Sequence, residues 1–525
     1  RKIRPPSFFR KKNNMLASVM ITVFFWLLPA SAVKYGDEAF QSAQEGNFYA
    51  FCNGNSTDGI QPSIDVVDPV TGTVLKSISA PSATVWADPV YMETCDGSNR
   101  RFVLANDRGG NVVVIDADSQ EINTVVPMSA APVHGYGVPM TEEFWSHSDG
   151  DGVFDVLDLE TLDQLKHQDI IAHVAIPGHG KLLWDEDFYP RAFVTNVREP
   201  FVFEIDLITH QMVRRWNFTE YGTSHPFYCP GTHGISYSRV NRHIYATCSS
   251  VGLVEIDIVN FGVVAKHGFA TGGQTYETRD EKYIVVIDKA GNAVHVLKPG
   301  ANGQASSMVF PSVNATFPGS SAGSPDKVAF HPLQATTTSS GGYRMFFSLT
   351  QPQPPSIVQS GMGWIDTTTL EAEPTVTHNL RFIQAGSIIG RHRQIHAGGA
   401  YVATPMHAPF SGVAIVEAEG GAGGVPILRW TVSTNLSPQR VIWVPNAYTS
   451  NECPAKDEKD DSGGLSTGAT IGISVAVIVN VGALLALMMY CCCKKPVGGK
   501  KVEEVKESSV VSENSKAEKS VQSVV

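Results

Sequence analysis

A short pattern recurs between residues 47 and 417: an apolar run, a turn of Gly, Asn and Asp, and a second apolar run that closes on a polar residue. Arg101 to Asp116 reads RFVLANDRGGNVVVID, and Tyr283 to Lys298 reads YIVVIDKAGNAVHVLK. Phe144 to Asp158, Arg191 to Asp206, His243 to Asp257 and Ala400 to Glu417 repeat it, and Asn47 to Asp68 and Tyr343 to Asp366 are divergent copies. The closing residues Asp68, Asp116, Asp158, Asp206, Asp257, Lys298, Asp366 and Glu417 fall 41 to 51 residues apart, with one interval of 68. That interval holds the Ser/Gly/Thr-rich stretches Gly319–Ser324 and Thr336–Gly342, which read as inserted loops. Alternating, β-branched runs read as strands. A period of ~40–50 residues is that of a four-stranded propeller blade. The expected fold is all-β: a β-propeller of eight blades, or seven if one copy has drifted, spanning residues 33–453.

The ends of the repeat region fit a closed ring. Nothing strand-like precedes the first copy, so its missing innermost strand is expected from Gln439 to Pro445, QRVIWVP, which leaves no free sheet edge. Cys229 and Cys248 lie in one repeat and are expected to form a disulfide. Cys52 has two candidate partners, Cys453 across the closure and Cys95.

Two apolar stretches set the expected topology. Leu16 to Ala32, LASVMITVFFWLLPASA, follows Arg10, Lys11 and Lys12 and ends on Ala30-Ser31-Ala32, the layout of a secretory signal over residues 1–32. Gly468 to Tyr490 carries no charge, and at ~1.5 Å per residue its length suits a bilayer core. Acidic residues precede it in the stalk of residues 454–467, and Lys494, Lys495, Lys500 and Lys501 follow it, so the tail of residues 491–525 is expected in the cytosol. The expected protein is a single-pass type I membrane protein with an extracellular or lumenal propeller. Sequons at Asn55, Asn217 and Asn314 suit that side as glycosylation sites, and Cys491, Cys492 and Cys493 suit S-palmitoylation. The end, Ser523-Val524-Val525, has the form of a PDZ ligand. The net charge of −11 and the lack of a basic block on the outer side argue against a nucleic-acid partner.

Polar residues recur where each innermost strand should begin, nearest the channel: Asp88, His134, His179, His233, Tyr276, Asp326 and His396. Three of them are followed by Gly. Imidazole is a ligand for borderline metals such as zinc. No HExxH, CxxC or ExxH spacing occurs, so a site would be assembled across blades. His134, His179 and His233 are the leading ligands for zinc, with His396 a further candidate and Asp88 or Asp326 as a fourth ligand. The plainer alternative is that these residues satisfy turns.

The units ending in VxVID are similar to the broad YVTN and quinoprotein-like propellers. Cys229-Pro230-Gly231-Thr232-His233-Gly234, followed by Cys248 and the strand Leu253-Val254-Glu255-Ile256-Asp257, resembles the AztD-type periplasmic zinc metallochaperone propellers, as does His134-Gly135 before an apolar strand. The likeness covers residues 47–445. It implies zinc held by propeller histidines, with His134 and His233 as ligands; His179 and His396 are added by register. A membrane anchor departs from those soluble carriers and sets a tethered binding role against free shuttling. Two further readings stay open: a metal-free adhesion or receptor scaffold with an unknown ligand, and a metal-dependent propeller lyase or dehydrogenase. No GxSxG elbow, P-loop or dinucleotide fingerprint supports another enzyme class.

Overall fold

A computed structural model describes residues 45–449, except 55–58, 95–97, 161, 163–169, 219–227, 250, 271–272, 316–323, 334–340, 351–360, 384–393, 407–410, 435. The expected signal, the stalk, the apolar stretch 468–490, the three adjacent cysteines and the tail lie outside the described residues, as do Asn55, Cys95 and Cys453. Among the described residues no helix is long and apolar enough to cross a membrane.

The chain forms eight antiparallel sheets, seven of four strands and one of five, each a blade of a β-propeller. Blade two shows the pattern: Trp86–Glu93, Arg101–Asp107, Asn111–Asp116 and Glu121–Pro127 pair in chain order. The eight closing residues of the sequence repeat each end the third strand of a blade. Asp recurs there for a local reason. Its carboxylate accepts backbone N–H groups two and three residues on, as Asp116 does from Asp118 and Ser119, Asp206 from Ile208 and Thr209, and Asp257 from Val259 and Asn260. This Asx arrangement turns the chain into the outermost strand.

The second and third strands are buried on both faces, because each blade is packed between two others. Val112, Val113, Val114 and Ile115 are all inaccessible, and so are Phe48 through Cys52 apart from a trace at Tyr49. Such strands read as continuous apolar runs rather than alternating ones, and each buried Val, Leu, Ile or Phe contributes ~1.5–3 kcal/mol of transfer free energy. The outermost strands face solvent: Thr73–Ser79 and Gln211–Asn217 are largely exposed, and Asn217 lies on the latter.

The ring closes through Pro438–Pro445, which pairs with Gly46–Cys52 and becomes the innermost strand of blade one. Phe48 stands opposite Trp443 in the register, and their rings meet edge-on at 5.0 Å. Arg101 of blade two donates to the Pro445 carbonyl, and Thr449 donates to Glu93, so the closing segment also grips the next blade. The disulfide Cys229–Cys248 is present, joining the entry to blade five with the end of its second strand. Cys52 is a free, buried thiol whose Sγ lies 3.8 Å from Asp65 Oδ2, so neither pairing expected for it forms. In the long interval the insertions are shorter than expected, since Ser324 and Gly342 already pair within blade seven.

Candidate metal centre

One end of the channel holds a cavity of about 350 Å³, lined by the start of the first strand of every blade. Arg440 comes from blade one, Asp88 from blade two, His134 from blade three, His179 from blade four and His233 from blade five. Gln274 and Tyr276 follow from blade six, Asp326 and Lys327 from blade seven, and Gln394 from the approach to blade eight. Local backbone geometry aims several of these side chains inward. The pairing register slips between Trp86 and Pro89, Pro132 and His134, Thr232 and Ile235, and Pro325 and Lys327, so a bulge sits at the mouth of blades two, three, five and seven. Bulges redirect side chains out of the ladder. The glycines after His179 and His233 are set by close backbone approach: a Cβ on Gly180 would lie 1.6 Å from the Thr195 carbonyl oxygen, and one on Gly234 2.7 Å from Gln274 Cα.

The structure brings His134, His179 and His233 together, with one ring nitrogen of each inside a common 4.8 Å span. His179 Nε2 is 3.2 Å from His134 Nε2 and 3.2 Å from His233 Nε2. The opposite ring nitrogens are held from behind. His134 Nδ1 lies 2.6 Å from Asp88 Oδ2, and His179 Nδ1 lies 2.9 and 3.0 Å from the two oxygens of Asp149. The Gln274 side-chain amide is 3.0 Å from His233 Nδ1, and the Gly273 carbonyl accepts from the same ring. The carboxylates facing Nδ1 of His134 and His179 favour a proton there and turn the Nε2 lone pair inward, the orientation found in carboxylate–histidine–metal units; the Lys181 ammonium also lies 3.0 Å from His134 Nδ1, and the amide facing His233 Nδ1 is a donor.

Electrostatics keep His134 and His233 neutral. Burial, reinforced by Lys181, holds His134 well below the ordinary imidazole range against the opposing pull of Asp88. Burial, with Lys181 and His179, takes His233 down to about 3. Burial opposes ionisation of Asp88, yet Lys181, His134 and Arg440 outweigh it and hold its carboxyl well below the usual value. Asp149 is lowered in the same way, its hydrogen bond to His179 overcoming desolvation.

Three of the sequence candidates do not join the trio. Asp88 backs His134 instead of offering a fourth ligand, because its two oxygens are engaged by His134, Lys181 and Arg440. Asp326 lines the same cavity but is paired with Lys289. His396 lies further along the channel, where its Nδ1 accepts the Trp443 backbone N–H at 3.2 Å. Sequence reasoning missed Asp149, which sits in an SDGDG turn that reads as turn chemistry, and it missed Gln274, Lys181, Lys327 and Arg440. Gln274 was within reach of the sequence: it stands two residues before the marked Tyr276, where a channel residue belongs. Of the sequons, Asn314 is exposed at the edge of blade six and Asn217 is half-buried.

The fold and site define an eight-bladed β-propeller whose channel mouth gathers three imidazoles. No protein-family model and no curated protein sequence matches the chain. Among solved structures it is similar to AztD from Citrobacter koseri, at 14% identity and a TM-score of 0.47 over 78% of this chain and 100% of that one. It is also similar to the dihydro-heme d1 dehydrogenase NirN in complex with DHE, at 11% identity and a TM-score of 0.46 over 84% and 87% of the two chains. A third is the computationally designed Ika8 protein, at 12% identity and a TM-score of 0.44 over 70% and 96%.

Proposed function

We propose that the protein is a metal-binding propeller that holds a divalent transition ion, zinc first, between His134, His179 and His233. One observation carries this reading: Nε2 atoms whose opposite nitrogens face carboxylates stand 3.2 Å apart. Two imidazole lone pairs facing each other at that distance repel unless a cation lies between them. Nitrogens ~2.0–2.1 Å from a shared tetrahedral zinc are themselves ~3.4 Å apart, so the spacing suits the ion. His134 and His233, held neutral, need no deprotonation before binding, and the carboxylates behind His134 and His179 raise ligand basicity. Three protein ligands leave a position open to the cavity, the arrangement of a site that exchanges or presents its metal rather than a closed structural one.

The test is a zinc titration of the purified full-length chain beside a variant with all three histidines changed to Ala. Wild type should bind one equivalent at the site and the variant none; equal affinity in both would leave the histidines as turn partners and favour a metal-free scaffold. We infer further that residues 468–490 tether the propeller outside the cytosol, which suits retention of the metal at a membrane rather than free carriage. Protease added to intact cells should then remove the propeller and spare a C-terminal tag. Loss of the tag would reverse the topology.

A further inference from the structure

The cavity beside the three histidines presents a charge imbalance that a bare metal site does not explain. Lys181, Lys289, Lys327 and Arg440 reach or line it, against the carboxylates Asp88 and Asp326. Lys181 lies 3.4 Å and Arg440 3.1 Å from Asp88, and Lys289 pairs with Asp326. Each carboxylate is thereby engaged. The Lys327 ammonium makes no hydrogen bond or ion pair among the described residues; only its backbone N–H does, to Ser348. A divalent ion held by neutral imidazoles would therefore meet a wall with surplus positive charge, and like charges in a partly desolvated cavity repel strongly.

We propose that this wall is the binding site for a small oxyanion, a carboxylate or a phosphate, which bridges the bound metal and Lys327 and supplies the fourth metal ligand. The inference rests on the metal reading above and adds to it a second ligand and the side chain that selects it. Burial, with Lys181 beside it, lowers the Lys327 ammonium to about 8 against the opposing pull of Asp88 and Asp326. Lysine suits the role because it offers three donors as a point charge that adapts to either anion. The coupling must be reciprocal: metal tightens the anion, and the anion tightens the metal by the same factor.

Cobalt(II) gives a readout at the metal itself, since its visible spectrum changes when a water ligand is replaced. The full-length chain is loaded with cobalt in chloride buffer and titrated separately with acetate and with inorganic phosphate. At least one of the two should shift the spectrum saturably at millimolar concentration or below. Lys327→Met should still bind cobalt and should weaken the anion response by about tenfold or more, the size of one charge-assisted hydrogen bond. Lys327→Arg should keep most of the response, which separates lost charge from lost folding. Absence of cobalt binding in the wild type would sink the metal reading itself. Cobalt binding with a spectrum unmoved by both anions, or an equal response in wild type and Lys327→Met, would overturn the anion site and leave the metal reading standing.

Discussion

Blades three to five and blades six to eight place side chains at equivalent points of the same ring, yet the two arcs do different chemistry. On the first arc the positions hold His134, His179 and His233, each with a partner on Nδ1. On the second they hold Gln274, the Asp326–Lys289 pair with Lys327, and Gln394. The backbone does not make the difference, since bulges aim His233 and Asp326 alike. A propeller thus fixes where side chains converge, and the residue types alone decide whether convergence gathers imidazoles or builds a charged wall.

The comparison breaks most easily at His179, the ring that touches both other imidazoles. His179→Ala should lower zinc affinity by about two orders of magnitude or more, while His396→Ala, whose ring serves the closing strand, should change it less than about twofold. Competition with a chromophoric chelator measures both, and equal losses would erase the distinction between the arcs. The next effect lies behind the ligands. Asp149→Asn should cost about 10- to 100-fold in affinity, as loss of an outer partner does, whereas Asp326→Asn on the opposite arc should not weaken zinc.

Acid sharpens the contrast further. His134 and His233 are held neutral by burial, the latter to about 3, so protons do not compete at these two ligands as pH falls through the ordinary imidazole value of ~6.5. Lowering pH from 6.5 to 5.5 should therefore cost about tenfold or less in zinc affinity, where three imidazoles titrating at ~6.5 would lose about fivefold each, roughly 170-fold together. Stability runs the other way. Burial also depresses His147 and His331 to about 4, so below pH ~6.5 the unfolded chain takes up protons that the folded chain refuses. Folding stability is full above ~6.5 and declines as pH falls towards 4. Thermal melts across this range should drop while metal affinity holds; a parallel fall in both would mean that the site loosens with the fold. The smallest effect on the metal belongs to blade five's staple. Replacing Cys229 and Cys248 together with Ala should cost about 2 kcal/mol of stability and leave zinc affinity within about twofold, read by melts and titration side by side.

The repeat was legible in the sequence because each blade ends its third strand on a residue that must cap a turn, so Asp68, Asp116, Asp158, Asp206 and Asp257 mark the ring directly. Register then placed His134, His179 and His233 at one mouth. It did not show which residues stand behind them. Asp149 belongs to the hairpin between the second and third strands of blade three, and its reach to His179 of the next blade depends on the packing of two sheets, which no spacing encodes. Asp88 looked like a ligand because carboxylates often are, and only the positions of Lys181 and Arg440 reveal that its oxygens are occupied. His396 shared the strand-start position but not its orientation. The pairing of Cys52 failed for a similar reason, since sequence order brought it near the closure while the fold buried its thiol against Asp65.

The closing strand also sets a clock on biosynthesis. The second strand of blade one, Gly46–Cys52, finds its inner neighbour only in Pro438–Pro445, the last strand of the ring. At ~5–20 residues per second, the ribosome needs ~20–80 s to deliver that partner. Throughout that interval the nascent chain carries an apolar strand, NFYAFC, with one edge unsatisfied and ending on the free thiol of Cys52. An open edge of this composition invites pairing with other chains. The closure that pairs this edge in the finished molecule therefore makes the half-made one dependent on chaperones that shield a strand, and it makes any truncation before Pro438 a source of aggregation rather than of a smaller propeller.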